Sequence, residues 1–243
     1  MKKFITPGYA KISWFVCCFI LLISACSKEQ RSTTAPVSQN DTTVSYKTFL
    51  ALGDSYTIGQ SVNTEQRFPF QTLNMLYAQG VTFNQPNIIA TTGWTTGNLI
   101  NALNSNPPAG TYDVVSLLIG VNNQYQGRNK EEYRLHFTEL LNKAISYAAS
   151  KRSHVFVLSI PDYSITPFAQ NSDTARIARE IDDFNAINKE ITLQYGIAWL
   201  DITPISREAK NDPSLLAVDG LHPSGKQYQR WAALLAPLVK AAL

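Results

Sequence analysis

Ser55 stands in the run Gly53-Asp54-Ser55-Tyr56, directly after a strand-like stretch at residues 48–52. Far along the chain, Asp219-Gly220-Leu221-His222-Pro223 sets a carboxylate three residues ahead of an imidazole, so one short loop can present both. Two other turns follow apolar runs: Thr91-Thr92-Gly93-Trp94 and Gly120-Val121-Asn122-Asn123. A hydroxyl nucleophile, an Asp–His pair and two groups able to donate to a developing oxyanion are the parts needed for nucleophilic acyl transfer. Each residue alone has a plainer reading. A serine after a strand caps a helix, a glycine makes a turn, and asparagines form loops. Their joint occurrence, each after an apolar run or just before the last helix, singles them out.

The elements that must position these residues are legible as two periodicities. Runs at 48–52, 87–90, 113–119, 154–160 and 197–201 are almost continuously apolar, as strands buried on both faces are. Between them, Tyr133, Phe137, Leu140, Leu141, Ala144, Ile145 and Ala148 fall on one helical face. Ile177, Ile181, Phe184, Ile187 and Ile191 mark a second, with Asp173 placed as its N-cap. Tyr228, Trp231, Leu234, Leu235 and Leu238 mark a third. Alternation of strands and helices predicts an α/β fold, a parallel sheet covered on both faces, in one domain over residues 48–243. In such sheets ligands gather outside the carboxyl ends of the strands, where all of these turns lie.

The four segments resemble, in order, the sequence blocks of the SGNH (GDSL-like) hydrolases. Gly53-Asp54-Ser55 matches the nucleophile block, Gly93 the glycine block, Gly120 with Asn122 the asparagine block, and Asp219 with His222 the closing block. The resemblance covers nearly all of residues 48–243. It implies a three-layer α/β/α sandwich, flavodoxin-like, with a parallel five-stranded sheet in the order 2-1-3-4-5. It further implies a serine esterase in which Ser55 attacks, His222 is its base and Asp219 orients the imidazole. The oxyanion would be held by the backbone N–H groups of Ser55 and Gly93 and the side chain of Asn122. Tyr56 replaces the leucine of the family's name, and Asn123 stands where many members carry aspartate. Asp54 reads as a brace for the nucleophile loop. His136, in a predicted helix, and His154, at a strand start, read as structural.

Tyr56, Trp94, Tyr125, Tyr163 and Phe168 lie close to these blocks in sequence and are expected to wall a substrate pocket. The expected substrate is a short-acyl or carbohydrate ester. The alternatives are a lysophospholipase or thioesterase with the same groups, or an anchored binding protein without turnover. No cofactor is expected, because no Gly-x-Gly-x-x-Gly or phosphate-loop pattern follows any strand. No metal is expected either, since the three histidines are scattered and no cysteine follows Cys26.

The N-terminus carries its own signals. Lys2, Lys3 and Lys11 flank a short apolar run ending Leu22-Ile23-Ser24-Ala25-Cys26, which resembles a bacterial lipobox. Residues 1–25 are therefore expected to be a lipoprotein-type signal peptide, Cys26 the lipid-attachment residue, and residues 26–47 a flexible polar tether to the membrane. That places the domain in the bacterial cell envelope, with the outer membrane favoured. Beyond Cys26 the 18 acidic residues face 18 remaining basic ones, so the formal charge of +3 belongs to the leader. A neutral domain offers no electrostatic footprint for nucleic acid.

Overall fold

The five apolar runs become the strands of one parallel sheet: β1 (Phe49–Gly53), β2 (Asn87–Ala90), β3 (Val114–Leu118), β4 (Val155–Leu158) and β5 (Ala198–Leu200). The computed structural model describes residues 46–243. The leader, Cys26 and the tether lie outside the described residues, except for Tyr46 and Lys47. Lys47 is no longer tether: its N–H donates to the Thr82 carbonyl and its own carbonyl accepts from Asn84, pairing it beside Phe83.

Strand order is β2-β1-β3-β4-β5, as the family resemblance implies. The register puts Gly53, the last residue of β1, level with Ala90 of β2 and Leu118 of β3. Three strands thus end together, and the turns after them start from one line. Strands β3, β4 and β5 are each shorter than their apolar runs. At Ile160 the reason is visible, because side chains replace the ladder. Its N–H donates to Asn185 Oδ1 (2.7 Å), and its carbonyl accepts from Asn185 Nδ2 and Thr203 Oγ1.

The helices are α1 (Ser55–Ile58), α2 (Phe68–Tyr77), α3 (Thr96–Ser105), α4 (Val121–Tyr125), α5 (Lys130–Tyr147), α6 (Thr174–Gln194), α7 (Thr203–Arg207) and α8 (Gly225–Ala242). Helix α2 packs on α8, while α3, α5 and α6 form a second contiguous row. The apolar faces of α5 and α6 are buried at the anticipated spacing, and Asp173 caps α6 by accepting from the Arg176 N–H. Helix α8 departs from expectation. Its buried face is Tyr228, Trp231, Ala232, Leu235, Ala236 and Val239, whereas Leu234 and Leu238 are more than 40% exposed. Two large aromatic rings against Phe68 fill the interface, and Ala232 and Ala236, rather than Leu234 and Leu238, complete it beside Leu235. Helices α2 and α3 escape the sequence reading, the first beginning at Phe68-Pro69 and the second being rich in asparagine.

Candidate active site

The nucleophile loop is dictated by its glycine. A Cβ on Gly53 would lie 2.1 Å from Thr57 Oγ1 and 2.4 Å from the Leu118 carbonyl, so no other residue lets the chain turn this tightly from β1 into α1. Asp54 caps α1 by accepting from the Tyr56 N–H at 3.0 Å. Ser55 then opens the helix, and its backbone N–H has no protein acceptor among the described residues. Tyr56 is buried, with its ring centroid 5.2 Å from that of His222. Burial, reinforced by neighbouring carboxylates, pushes its phenol well above the usual tyrosine range.

Asp54 is fully buried, and its Oδ2 has no hydrogen-bond partner among the described residues. Burial pushes its carboxyl up to about 7, against the lowering effect of backbone hydrogen bonds from Tyr56 and Gly120. The folded state therefore holds a proton there that the unfolded chain has already released. Stability from this group is full below about pH 4 and is lost as pH rises through about 7. The thermal midpoint is expected to fall between pH 5 and 8, and Asp54→Asn, which has no proton to lose, is expected to lack that part of the fall. An equal fall in both proteins would acquit Asp54.

His222 is buried and its Nδ1 lies 2.7 Å from Asp219 Oδ2. Asp219 Oδ1 accepts from the N–H groups of Leu221 and His222, both at 3.0 Å, and Oδ2 also accepts from the Ser61 hydroxyl at 2.6 Å. Partial burial opposes ionisation of Asp219. The hydrogen bonds from Ser61, His222 and the two N–H groups outweigh it and hold the carboxyl at about 2. An ionised Asp219 keeps the Nδ1 proton on its own side of the ring, which leaves Nε2 as the basic nitrogen. No hydrogen bond joins Ser55 Oγ to the imidazole among the described residues. Such contacts tighten when substrate arrives.

Helix α4 and the residue after it order the glycine loop. Asn122 donates one amide hydrogen to the Trp94 carbonyl at 3.0 Å, leaving its second for another acceptor. Gln126 Nε2 donates to the Gly93 carbonyl at 3.2 Å. Asn123 is fully buried and holds the start of α3, accepting from the Thr96 N–H (3.0 Å) and donating to Thr96 Oγ1 (2.8 Å). That is how a loop with asparagine in place of aspartate is braced. Gly93 has φ +83 and open space where a Cβ would stand, so backbone conformation selects glycine there. Its N–H, like that of Ser55, has no protein acceptor among the described residues.

Ser55, Gly93, Asn122 and His222 line one cavity of about 220 Å³. Tyr56, Tyr125, Tyr163 and Phe168 form its aromatic wall, and Thr92, Val121 and Leu221 complete it. Tyr125, Tyr163 and Phe168 make a triangle with ring centroids 6.0 to 6.3 Å apart. Tyr125 and Phe168 are at least half exposed, whereas Tyr163 is buried beneath them. Trp94 is not part of that wall. Its ring packs against the core, and its carbonyl serves Asn122. Gln60, Ser61 and Gln126, which brace the site, have no signal in the sequence: each is one polar loop residue among many. His154 bonds the Asp113 carbonyl through Nδ1, and His136 lies near Thr96 on α3, both away from the cavity lining. Among the described residues, no group of three His, Cys, Asp or Glu side chains is placed to hold a metal ion.

Several solved structures share this fold. TesA is 18% identical with a TM-score of 0.62, the match covering 81% of this chain and 100% of that one. A lipase/acylhydrolase from Enterococcus faecalis is 18% identical with a TM-score of 0.60, covering 80% and 96%. A variant of Axe2, an acetyl xylan esterase from Geobacillus stearothermophilus, is 17% identical with a TM-score of 0.60, covering 79% and 94%. Comparison with curated proteins gives no significant match. Residues 51–230, which hold all four blocks, match the family model described as GDSL-like Lipase/Acylhydrolase, and the chain belongs to that family.

Proposed function

We propose that the chain is a serine carboxylic-ester hydrolase working through an acyl-enzyme on Ser55, and that it prefers short acyl groups carried on a carbohydrate or similar polar alcohol. The observation that carries this reading is the convergence of Ser55, Gly93, Asn122 and His222 on one cavity, with His222 bonded to an ionised Asp219. In the proposed reaction, Ser55 Oγ attacks the ester carbonyl while His222 Nε2 takes the hydroxyl proton. The oxyanion is received by the N–H groups of Ser55 and Gly93 and the second amide hydrogen of Asn122. Collapse expels the alcohol, which leaves with the proton from His222. Water then repeats the sequence on the acyl-enzyme.

Size favours a short acyl group. A cavity of about 220 Å³ has room for roughly seven water-sized groups, below the ~300 Å³ at which drug-sized ligand pockets begin. The exposed rings of Tyr125 and Phe168 give a sugar ring faces on which to stack at the mouth. The test compares the full-length chain with Ser55→Ala on p-nitrophenyl esters from acetyl to palmitoyl. Serine-dependent hydrolysis is expected to peak among the shortest chains. A long-chain optimum would move the reading to a lysophospholipase or thioesterase. Equal rates in the two folded proteins would remove catalysis by Ser55 and leave a binding protein.

A further inference from the structure

The turn that ends α1 reaches two of the other three loops that line the site, the glycine loop and the Asp219–His222 loop. Gly59 and Gln60 donate their backbone N–H groups to the Ser55 carbonyl, so the turn is fixed to the nucleophile itself. Gln60 Oε1 then accepts from Thr92 Oγ1 at 2.7 Å, beside Gly93 in the glycine loop. The next residue, Ser61, donates its hydroxyl to Asp219 Oδ2 at 2.6 Å, the same oxygen that bonds His222 Nδ1. Two consecutive side chains therefore tie the nucleophile helix to loops 32 and 158 residues away.

Ser61 makes this contact from φ +65, a left-handed conformation that residues other than glycine, asparagine and aspartate seldom enter. Gly59, two positions earlier, is also left-handed at φ +70. A strained residue persists where its surroundings over-determine it, and such residues cluster at functional sites. We propose that Ser61 is a positioning residue for the Asp219–His222 pair, its backbone held left-handed because that conformation aims the hydroxyl at Asp219. This rests on the esterase reading above. Asp219 Oδ1 is already fixed by two backbone N–H groups. Ser61 supplies the remaining constraint, locking Oδ2 and with it the plane of the imidazole relative to Ser55.

Ser61→Gly is the informative variant, because glycine accepts φ +65 without strain and removes only the hydroxyl. Since Ser61 is exposed, water competes for its place. The expected loss is therefore moderate: kcat on p-nitrophenyl acetate about three- to tenfold lower, with KM unchanged. In the same full-length variant, the Asp219 carboxyl, followed by its ¹³C titration, is expected to move up from about 2 towards the ordinary aspartate range. A purely structural role in closing the turn would move neither, and relief of strain would raise the thermal midpoint. A folded Ser61→Gly protein with kcat within about twofold of wild type, or with an unmoved Asp219 titration, overturns the proposal. If the wild-type protein hydrolyses no ester, the esterase reading fails on its own account, and the Asp219 titration alone decides whether Ser61 holds the carboxylate.

Discussion

Replacement of Ser55 by alanine is expected to lower kcat by about 10⁶-fold, the scale seen when a serine nucleophile is removed from an intact triad. The structure makes the variant a clean one. Ser55 opens α1, but the capping hydrogen bond belongs to Asp54, and the Ser55 hydroxyl holds no structural partner among the described residues. Alanine is also a good helix former, so fold and thermal midpoint should be unchanged. The oxyanion donors and the binding cavity remain, and they are expected to sustain a residual rate about 10³-fold above water. Single-turnover measurements with p-nitrophenyl acetate would separate these steps. Loss of the acylation burst with substrate affinity preserved is the expected pattern. A burst of wild-type amplitude in the variant would require a different nucleophile.

The second large effect concerns two adjacent asparagines in different surroundings, one lining the cavity and one buried. Asn122 lines the cavity and spends one amide hydrogen on the Trp94 carbonyl, and the other is the one proposed to receive the oxyanion. Asn122→Ala is expected to fold normally and to lose about 10²–10³ in kcat, roughly 3–4 kcal/mol of transition-state stabilisation. Asn123 is fully buried and bonded twice to Thr96. Its truncation strands the buried Thr96 N–H, at a cost of about 1–3 kcal/mol in stability, and leaves the Thr96 hydroxyl with only its His136 contact. Asn123→Ala should therefore lower the thermal midpoint while costing kcat much less than Asn122→Ala. Measured side by side, the two variants should separate cleanly into a kinetic and a thermodynamic defect. The reverse assignment of defects would exchange their roles.

Much of the architecture is readable from periodicity, because strands buried on both faces must be continuously apolar and helices packed on them must be apolar every three to four residues. Four of the five strands lie within their apolar runs, the first runs one residue past the end of its own to Gly53, and Asp173 caps α6 where the pattern begins. Side-chain networks are less legible. Asn185 and Asn188 interrupt the buried face of α6 and look like defects in sequence. In the fold, Asn185 bonds both backbone groups of Ile160, and Asn188 joins Tyr133 to Trp199. Their value lies in partners that are distant in sequence. The same holds at the site. Ser55, Gly93, Asn122, Asp219 and His222 announce themselves by block and order, whereas Ser61 acquires meaning only when a residue 158 positions later folds onto it. Trp94 shows the converse error, since nearness in sequence to Gly93 does not put its ring in the cavity.

The long span between Ser61 and Asp219 also has a consequence in time. His222 follows Ser55 by 167 residues, and a ribosome adding about 5–20 residues per second supplies it roughly 8–33 s later. By the time Asn122 is added, 67 residues after Ser55, the segments of β1, β2 and β3 have all been synthesised, and with them every group proposed to receive the oxyanion. What is missing is the proposed base, its aspartate, and α8, whose Tyr228 and Trp231 complete the packing against Phe68. A nascent chain therefore carries an unactivated serine for most of its synthesis. On the proposed mechanism, catalytic competence is then a late event that waits for the docking of the segment translated after the last strand.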